Sequence, residues 1–196
     1  MLREYVAGHP KKGAHTHALF GFSDESAFSD KPMVRKTWAP KGKTPILKVP
    51  GGWITRSVVS LITCSPKGER PRLYFKRLSG TMNAERFLDF LKQVKCHMGG
   101  RKLILIIDNL RVHKAKAVKE YVEKQRCWLA VEYLPPYAPE LNPTEYVWSS
   151  GKRKDFGNAT MHGGRELDRR IRECGERTRR SVTLLKGFLK ASTLFT

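Results

Sequence analysis

Apolar residues in this chain come in short blocks broken by charge, proline and glycine. The densest block is Leu103 to Ile107, five apolar residues in a row and three of them β-branched. It is too short for a helix and lacks the alternation of a half-exposed strand. It therefore predicts a strand over 102–108 buried on both faces, in the middle of a covered sheet. Blocks at 18–22, 54–64 and 72–78 predict three more strands, the last two joined by Pro66-Lys67-Gly68 and all three forming an antiparallel group. Residues 128–134 predict a fifth. Elsewhere the period changes to that of a helix. Phe87, Leu88, Leu91 and Val94 mark a helix over 83–94, with Asn83 as its cap and Glu85 in its first turn. Ala115, Val118, Tyr121 and Val122 mark another over 114–124. Alternating strands and helices across 72–134 predict βα units with right-handed crossovers. The fold class is α/β: a mixed sheet, antiparallel in its first three strands and then parallel, with helices on both faces.

Past residue 134 the prolines forbid regular structure as far as Leu141. Asn142 then reads as a helix cap, with Pro143 at the first helical position. Glu145 falls where its side chain can reach back to the cap backbone, which by itself is a complete structural account of that residue. In 151–196, Leu167, Ile171, Cys174, Val182, Leu185 and Leu189 keep one helical face, and Gly175 is expected to bend or split the helix. The organisation expected is a polar tail or linker over 1–17, a catalytic-sized domain over 18–160, and a basic helical segment over 161–196 packed on that domain.

Charge narrows the function. Lys plus Arg is 38 and Asp plus Glu is 18, a net charge of +20. An excess of that size predicts a polyanionic partner, nucleic acid before a membrane surface. Residues 31–56 hold seven basic residues and no acid, with Trp38 and Trp53 among them. A basic hairpin-like segment with interleaved aromatics, turning at Lys41-Gly42-Lys43 and Gly51-Gly52, suits phosphate contacts plus base stacking. The tryptophans fit a core role equally well. Lys36, Trp38, Lys41, Lys43, Lys48 and Arg56 are the DNA-binding candidates here, joined by Lys152, Arg153 and Lys154. Residues 151–196 as a whole carry +7, and their helix reads equally as facing DNA or solvent. The four cysteines contain no CxxC pair, which argues against zinc and for reduced thiols in the cytosol. His15 and His17 have no nearby second pair and read as surface. The N-terminus has no apolar signal-peptide core, and no apolar run is long enough to span a membrane.

Two predicted strands stop on acids: the block at 18–22 runs into Ser23-Asp24-Glu25, and the central block ends on Asp108. Ligands of open α/β sheets sit beyond the carboxyl ends of strands. Alternation sends Asp24 and Glu25 to opposite sides, so only one of them can face a site shared with Asp108. Each acid has an ordinary explanation as a turn or cap residue. Taken together with Glu145, they form a set that would repel itself and gather protons unless a cation lay among them. Hard oxygen donors suit Mg²⁺ or Mn²⁺, and two such ions can drive phosphodiester displacement without a nucleophilic side chain.

Four motifs in order extend this. They are Phe22-Ser23-Asp24-Glu25-Ser26-Ala27-Phe28, Trp38-x-x-x-Gly42-x-x-Pro45, Ile107-Asp108-Asn109-x-x-x-His113, and Leu134-Pro135-Pro136-Tyr137-x-Pro139-x-Leu141-Asn142-Pro143-x-Glu145-x-x-Trp148. The chain from about 18 to 150 resembles the DDE transposases of the mariner superfamily, most closely the bacterial insertion-sequence branch (the IS-six-thirty group). The resemblance implies an RNase H-like fold. It implies Asp24, Asp108 and Glu145 as catalytic, metal-binding residues, with two Mg²⁺ or Mn²⁺ ions. Asn109, His113 and Asn142 become supporting residues, although His113 also reads as a structural histidine at a helix start. The reaction implied is cleavage at transposon ends by water, then attack of the freed 3′-hydroxyl on target DNA.

The pattern is departed from in three places. Between Asp108 and Glu145 lie 36 residues, slightly more than the family's spacing, as an insertion within 123–132 would produce. Ala27 stands where a small glycine is common. Only 23 residues precede Asp24, too few for a helix-turn-helix region. The expectation is a catalytic part that works as a homodimer on DNA, with end recognition supplied by a separate N-terminal helix-turn-helix polypeptide, in a cytoplasmic, nucleoid-associated setting if the host is bacterial. The competing readings are a DNA-binding remnant of a decayed or split element, and a metal-dependent nuclease of RNA–DNA hybrids.

Overall fold

The computed structural model describes residues 18–48, 53–136 and 138–195. The expected tail, with His15 and His17, the Gly51-Gly52 turn and Tyr137 lie outside the described residues. Five strands form one sheet in the order β3-β2-β1-β4-β5: β1 (Leu19–Ser29), β2 (Thr55–Cys64), β3 (Arg72–Leu78), β4 (Leu103–Ile107) and β5 (Leu129–Tyr133). β1 pairs antiparallel with β2, and β2 with β3, whereas β4 runs parallel to both β1 and β5. The mixed sheet read from the sequence is therefore present, antiparallel first and then parallel.

Alternation along the strands divides the core. Phe20, Phe22, Phe28, Ile104 and Ile106 face α3 (Pro143–Asp155), α4 (Gly164–Arg180) and α5 (Val182–Ala191). Leu61, Leu103, Leu105 and Ile107 face α1 (Ala84–Met98) and α2 (Lys116–Lys124). All five residues of β4 are buried, as a strand apolar on both faces requires. α1 starts where expected, the Asn83 side chain accepting from the Arg86 N–H at 2.9 Å. It runs on past Val94 to Met98, and left-handed Gly99 then ends it.

Several expectations are corrected. β1 does not stop at Phe22. Its parallel ladder with β4 ends there, but β2 continues to pair with it from Asp24↔Ser60 to Ser29↔Thr55. Asp24 therefore lies within a strand, at the point where one neighbour gives out. No hairpin forms among the described residues of 31–56. Residues 31–48 lie exposed on the surface, joined to the fold by the Met33–Gly157 bridge and by Asn158, whose side chain accepts from Arg35 N–H and donates to Arg35 C=O. Trp38 is fully exposed there, not core. α2 begins at Lys116 because 111–114 are spent on turns.

The C-terminal helix passes straight through Gly175 and breaks at Ser181, whose hydroxyl caps α5. Gly175 is there because the Phe75 ring of β3 lies on it: a Cβ would stand 2.4 Å from Phe75 Cζ. The break also turns Val182 out to 51% exposure, away from the apolar face expected of an unbroken helix. Gly175→Ala is expected to destabilise the fold by about 1–3 kcal/mol through overpacking. Phe75→Leu in the same chain should recover part of that loss. Urea unfolding of the two single variants and the double variant checks this.

Candidate active site

The site forms where β1 outlasts β4. Beyond Phe22 the Ser23 carbonyl, which points to that side of β1, has no strand partner, and a buried carbonyl needs one. The first turn of α3 supplies it. Thr144 Oγ1 donates to Phe22 C=O at 2.7 Å, and Asn142 Nδ2 donates to Ser23 C=O at 3.3 Å. Asn142 also caps α3, its Oδ1 accepting from the Thr144 N–H at 3.1 Å. Trp148, one turn on, is buried and donates to Ser60 Oγ at 2.7 Å on the next strand. The start of α3 is thus fastened to the sheet beside Asp24.

This fastening changes the reading of Glu145. The Asn142 backbone N–H donates to Pro139 C=O at 2.9 Å, within the 3-10 turn Pro139–Leu141. The cap therefore does not call on the Glu145 carboxylate. Glu145 instead lines a cavity of about 650 Å³ together with Asp24, Asp108, Asn109 and Asn142, walled by the prolines of 135–139. The three acids singled out in the sequence are brought to one cavity. Asp24 reaches it from the α3 face of β1, Asp108 from just past the end of β4, and Glu145 from the first turn of α3.

Asp24 is buried, and burial, then the charges of Glu145, Glu25 and Asp108, push its carboxyl up to about 8. Asp108 behaves oppositely. Its partial burial pushes upward, but hydrogen bonds from His113 and the Leu110 N–H, with the His113 charge, hold it below the usual carboxylate range. Asp108 does begin a turn, its Oδ1 accepting from Leu110 N–H at 3.1 Å, so its ordinary role and its place in the cavity coexist. Asn109 Nδ2 donates to Leu134 C=O, holding the ends of β4 and β5 together.

His113 is 1% exposed, with Nδ1 2.9 Å from Asp108 Oδ1 and Nε2 3.0 Å from Glu25 Oε1. Burial works against its charge, but the two carboxylates outweigh it and raise the ring to about 9. Glu25 is the residue that sequence reasoning passed over. Alternation placed it correctly on the face away from Asp24, and nothing in the pattern showed that the loop after β4 would bring His113 to meet it.

The basic candidates separate by place. Lys36, Trp38, Lys41, Lys43 and Lys48 are exposed on the 31–48 segment, outside the cavity. Arg56 is engaged with Asp168 at 3.0 Å, and Arg77 shares that carboxylate at 3.5 Å. Lys152 is half-buried with its Nζ 5.1 Å from the Phe28 ring centroid. Burial lowers its pKa, against the opposing pull of Glu145 and Asp24. Two helical turns after Glu145, it is the basic group nearest in kind to a phosphate ligand for the cavity; Arg153 and Lys154 beside it are exposed.

Among the described residues, no three of His, Cys, Asp and Glu stand close enough together to hold a metal ion as they are. The donor set nevertheless fits a divalent cation. It is all oxygen, and burial, then the charges of the neighbouring acids, press Asp24 towards protonation, which a bound cation would oppose.

A five-stranded mixed sheet with an acid-lined cavity beyond its central strands defines a nuclease-like α/β protein. The model of the DDE superfamily endonucleases matches residues 20–168, and the chain belongs to that family. Its RNase H-like fold is shared with solved mariner structures. The Mos1 transposase paired-end complex with left transposon end aligns with a TM-score of 0.61 at 15% identity, over 97% of this chain and 55% of that one. The mariner Mos1 paired end complex with Mg gives 0.61 at 15%, over 97% and 56%. The catalytic domain of Mos1 mariner transposase gives 0.56 at 14%, over 97% and 82%. The chain thus spans about half the length of the transposase chains in those complexes. No curated protein matches.

In EDTA, Asp24→Asn is expected to stabilise the protein. The folded carboxyl titrates near 8 against an ordinary 3.8, so the folded state holds the extra proton between those values and wild-type stability falls as pH rises through them. The gap between variant and wild type should be small near pH 4 and reach on the order of 3 kcal/mol by pH 7. Thermal unfolding across that range checks it, and a gap that does not widen refutes it.

Proposed function

We propose that the chain is the catalytic portion of a mariner-superfamily transposase of the bacterial insertion-sequence branch, cutting DNA at transposon ends and joining the freed ends to target DNA. The observation that carries this reading is the convergence of Asp24, Asp108 and Glu145 on one cavity, fastened by Asn142 and Thr144 to β1. Asp24, Asp108 and Glu145 would hold two Mg²⁺ or Mn²⁺ ions. Bound there, the ions would polarise the phosphodiester and lower the cost of forming the attacking and leaving oxygens. The residues themselves do the positioning. Asp108 is kept ionised by His113 and Leu110. Asp24 stays buried, where bulk water does not compete for it. Lys152, beside the acids, suits a phosphate oxygen at the edge of the cavity.

The net charge of +20 and the exposed, aromatic-bearing 31–48 segment favour a DNA partner. The resemblance of the motifs supports a dimer acting on paired ends, with recognition supplied by a helix-turn-helix region, and a cytoplasmic, nucleoid-associated setting. The likeness to Mos1 complexes supports the same partner and a divalent ion. A DNA-binding remnant that no longer cuts is favoured by one observation, the separation of the acids as they stand. The expected organisation, a domain over 18–160 with 161–196 packed on it, agrees with α4 and α5 sharing the core of the sheet.

The deciding experiment is cleavage of a DNA duplex by the purified chain with Mn²⁺, with EDTA, and with Asp108→Ala. Cutting that needs metal and vanishes in the variant is expected. Salt-sensitive binding without cutting on any end-like duplex leaves the remnant. Independently, Lys41→Ala with Lys43→Ala should reduce the salt slope of duplex binding by about 2 while leaving thermal stability unchanged. An unchanged slope would mean that those lysines only face solvent.

A further inference from the structure

Glu25 is a buried acid for which the proposed chemistry has no use. It lies in register with Val59, on the face lined by Phe87 and Ile107, where the fold itself favours an apolar side chain. Its side chain is 14% exposed, and its Oε2 is buried without a hydrogen-bond partner among the described residues. A carboxylate is left half-satisfied in a core only where its other half is strongly engaged. Here Oε1 meets His113 Nε2 at 3.0 Å.

The far side of the same ring meets an acid that lines the cavity. His113 Nδ1 lies 2.9 Å from Asp108 Oδ1, and the ring rests against Phe87 with centroids 4.5 Å apart. Ionised carboxylates only accept, so a ring held between two of them donates at both ends. Phe87 and the burial of the ring narrow its freedom to turn, and the two carboxylates set the angle that it takes. Asp108 Oδ1 therefore receives two fixed donors, the His113 ring and the Leu110 N–H, which together set the plane of that carboxylate. Without Glu25, the Nε2 end of the ring would be a buried donor with no acceptor, and the ring would be free to rotate away from Asp108.

We propose that Glu25 is a positioning residue for the acid-lined cavity: through His113 it fixes the orientation of Asp108, and with it the affinity of the site for a divalent cation. This rests on the reading of Asp24, Asp108 and Glu145 as the cation-binding set. It extends that set by a carboxylate–imidazole link from the opposite face of the sheet, across 88 residues of sequence between Glu25 and His113. Partners of this kind, one step behind a metal ligand, ordinarily matter to metal affinity by about 10–100-fold.

The test uses the full chain with Glu25→Gln and Glu25→Leu, and Asp108→Ala as the control that removes the ligand itself. Mn²⁺ affinity is read by calorimetry, and folding by thermal unfolding. Glu25→Gln retains an acceptor for the ring and is expected to bind Mn²⁺ within about threefold of wild type, whereas Glu25→Leu loses about tenfold while remaining folded. A purely structural Glu25 predicts a fall in unfolding temperature in the Leu variant with unchanged Mn²⁺ affinity, which would overturn the proposal. Should the Leu variant not fold, nitrogen NMR of the His113 ring in wild type and in the smaller Glu25→Ala decides. The resonance of Nδ1, the atom facing Asp108, shifts with the substitution if Glu25 sets that contact; an indifferent Nδ1 overturns it. A wild-type chain that binds no Mn²⁺ overturns both this proposal and the metal reading beneath it. Equal Mn²⁺ binding with and without the Glu25 side chain overturns this proposal alone.

Discussion

Two hydrogen bonds hold the cavity together: Thr144 to the Phe22 carbonyl and Asn142 to the Ser23 carbonyl. The second exists because β1 is longer than β4, so that the Ser23 carbonyl on that side needs another donor; the first adds a donor to the neighbouring carbonyl on the β2 side. A helix start is well suited to answer, since its capping residues carry spare donors and acceptors. Once α3 is fastened there, Glu145 cannot be anywhere but beside Asp24, and Trp148 is carried into the core against Ser60 and Phe28. The arrangement of the acids is a by-product of satisfying backbone groups.

The same economy explains why the acids behave so differently. Asp24 is surrounded by other carboxylates and has lost its water, so its charge is opposed. Asp108, less buried, has a histidine and a backbone N–H at hand, so its charge is favoured. Identical side chains in one cavity are thus prepared for different roles by their neighbours alone. The lysine and arginine excess acts at longer range. It lies mostly on exposed segments and sets the field in which a polyanion would approach, not the chemistry of the cavity.

Much of this was legible in the sequence where local rules dominate. Leu103–Ile107 read as a strand covered on both sides, and Asn142-Pro143 as the start of a helix. Asn83 and the alternation of Asp24 with Glu25 were read from the same short-range physics. What escaped notice depended on residues distant in the chain. The full length of β1 is set by β2. The continuity of α4 through Gly175 is set by the Phe75 ring, which needs a side chain without a Cβ beneath it. The exposed 31–48 segment is tied to the fold through Gly157 and Asn158, far along the chain. The meeting of Glu25 and His113 required the sheet to be assembled first.

The strand order has a consequence in time. A chain emerging from synthesis offers β1, β2 and β3 early, and they can pair as an antiparallel meander. The free side of β1 must wait for β4, and the Ser23 carbonyl must wait longer still, for Asn142. The acids therefore come together only once residues 142–145 have been made. A nascent or truncated copy ending before α3 would carry most of the sheet and much of the positive charge, but no assembled cavity. The ordering keeps the field of positive charge and the assembled cavity apart until α3 has been made.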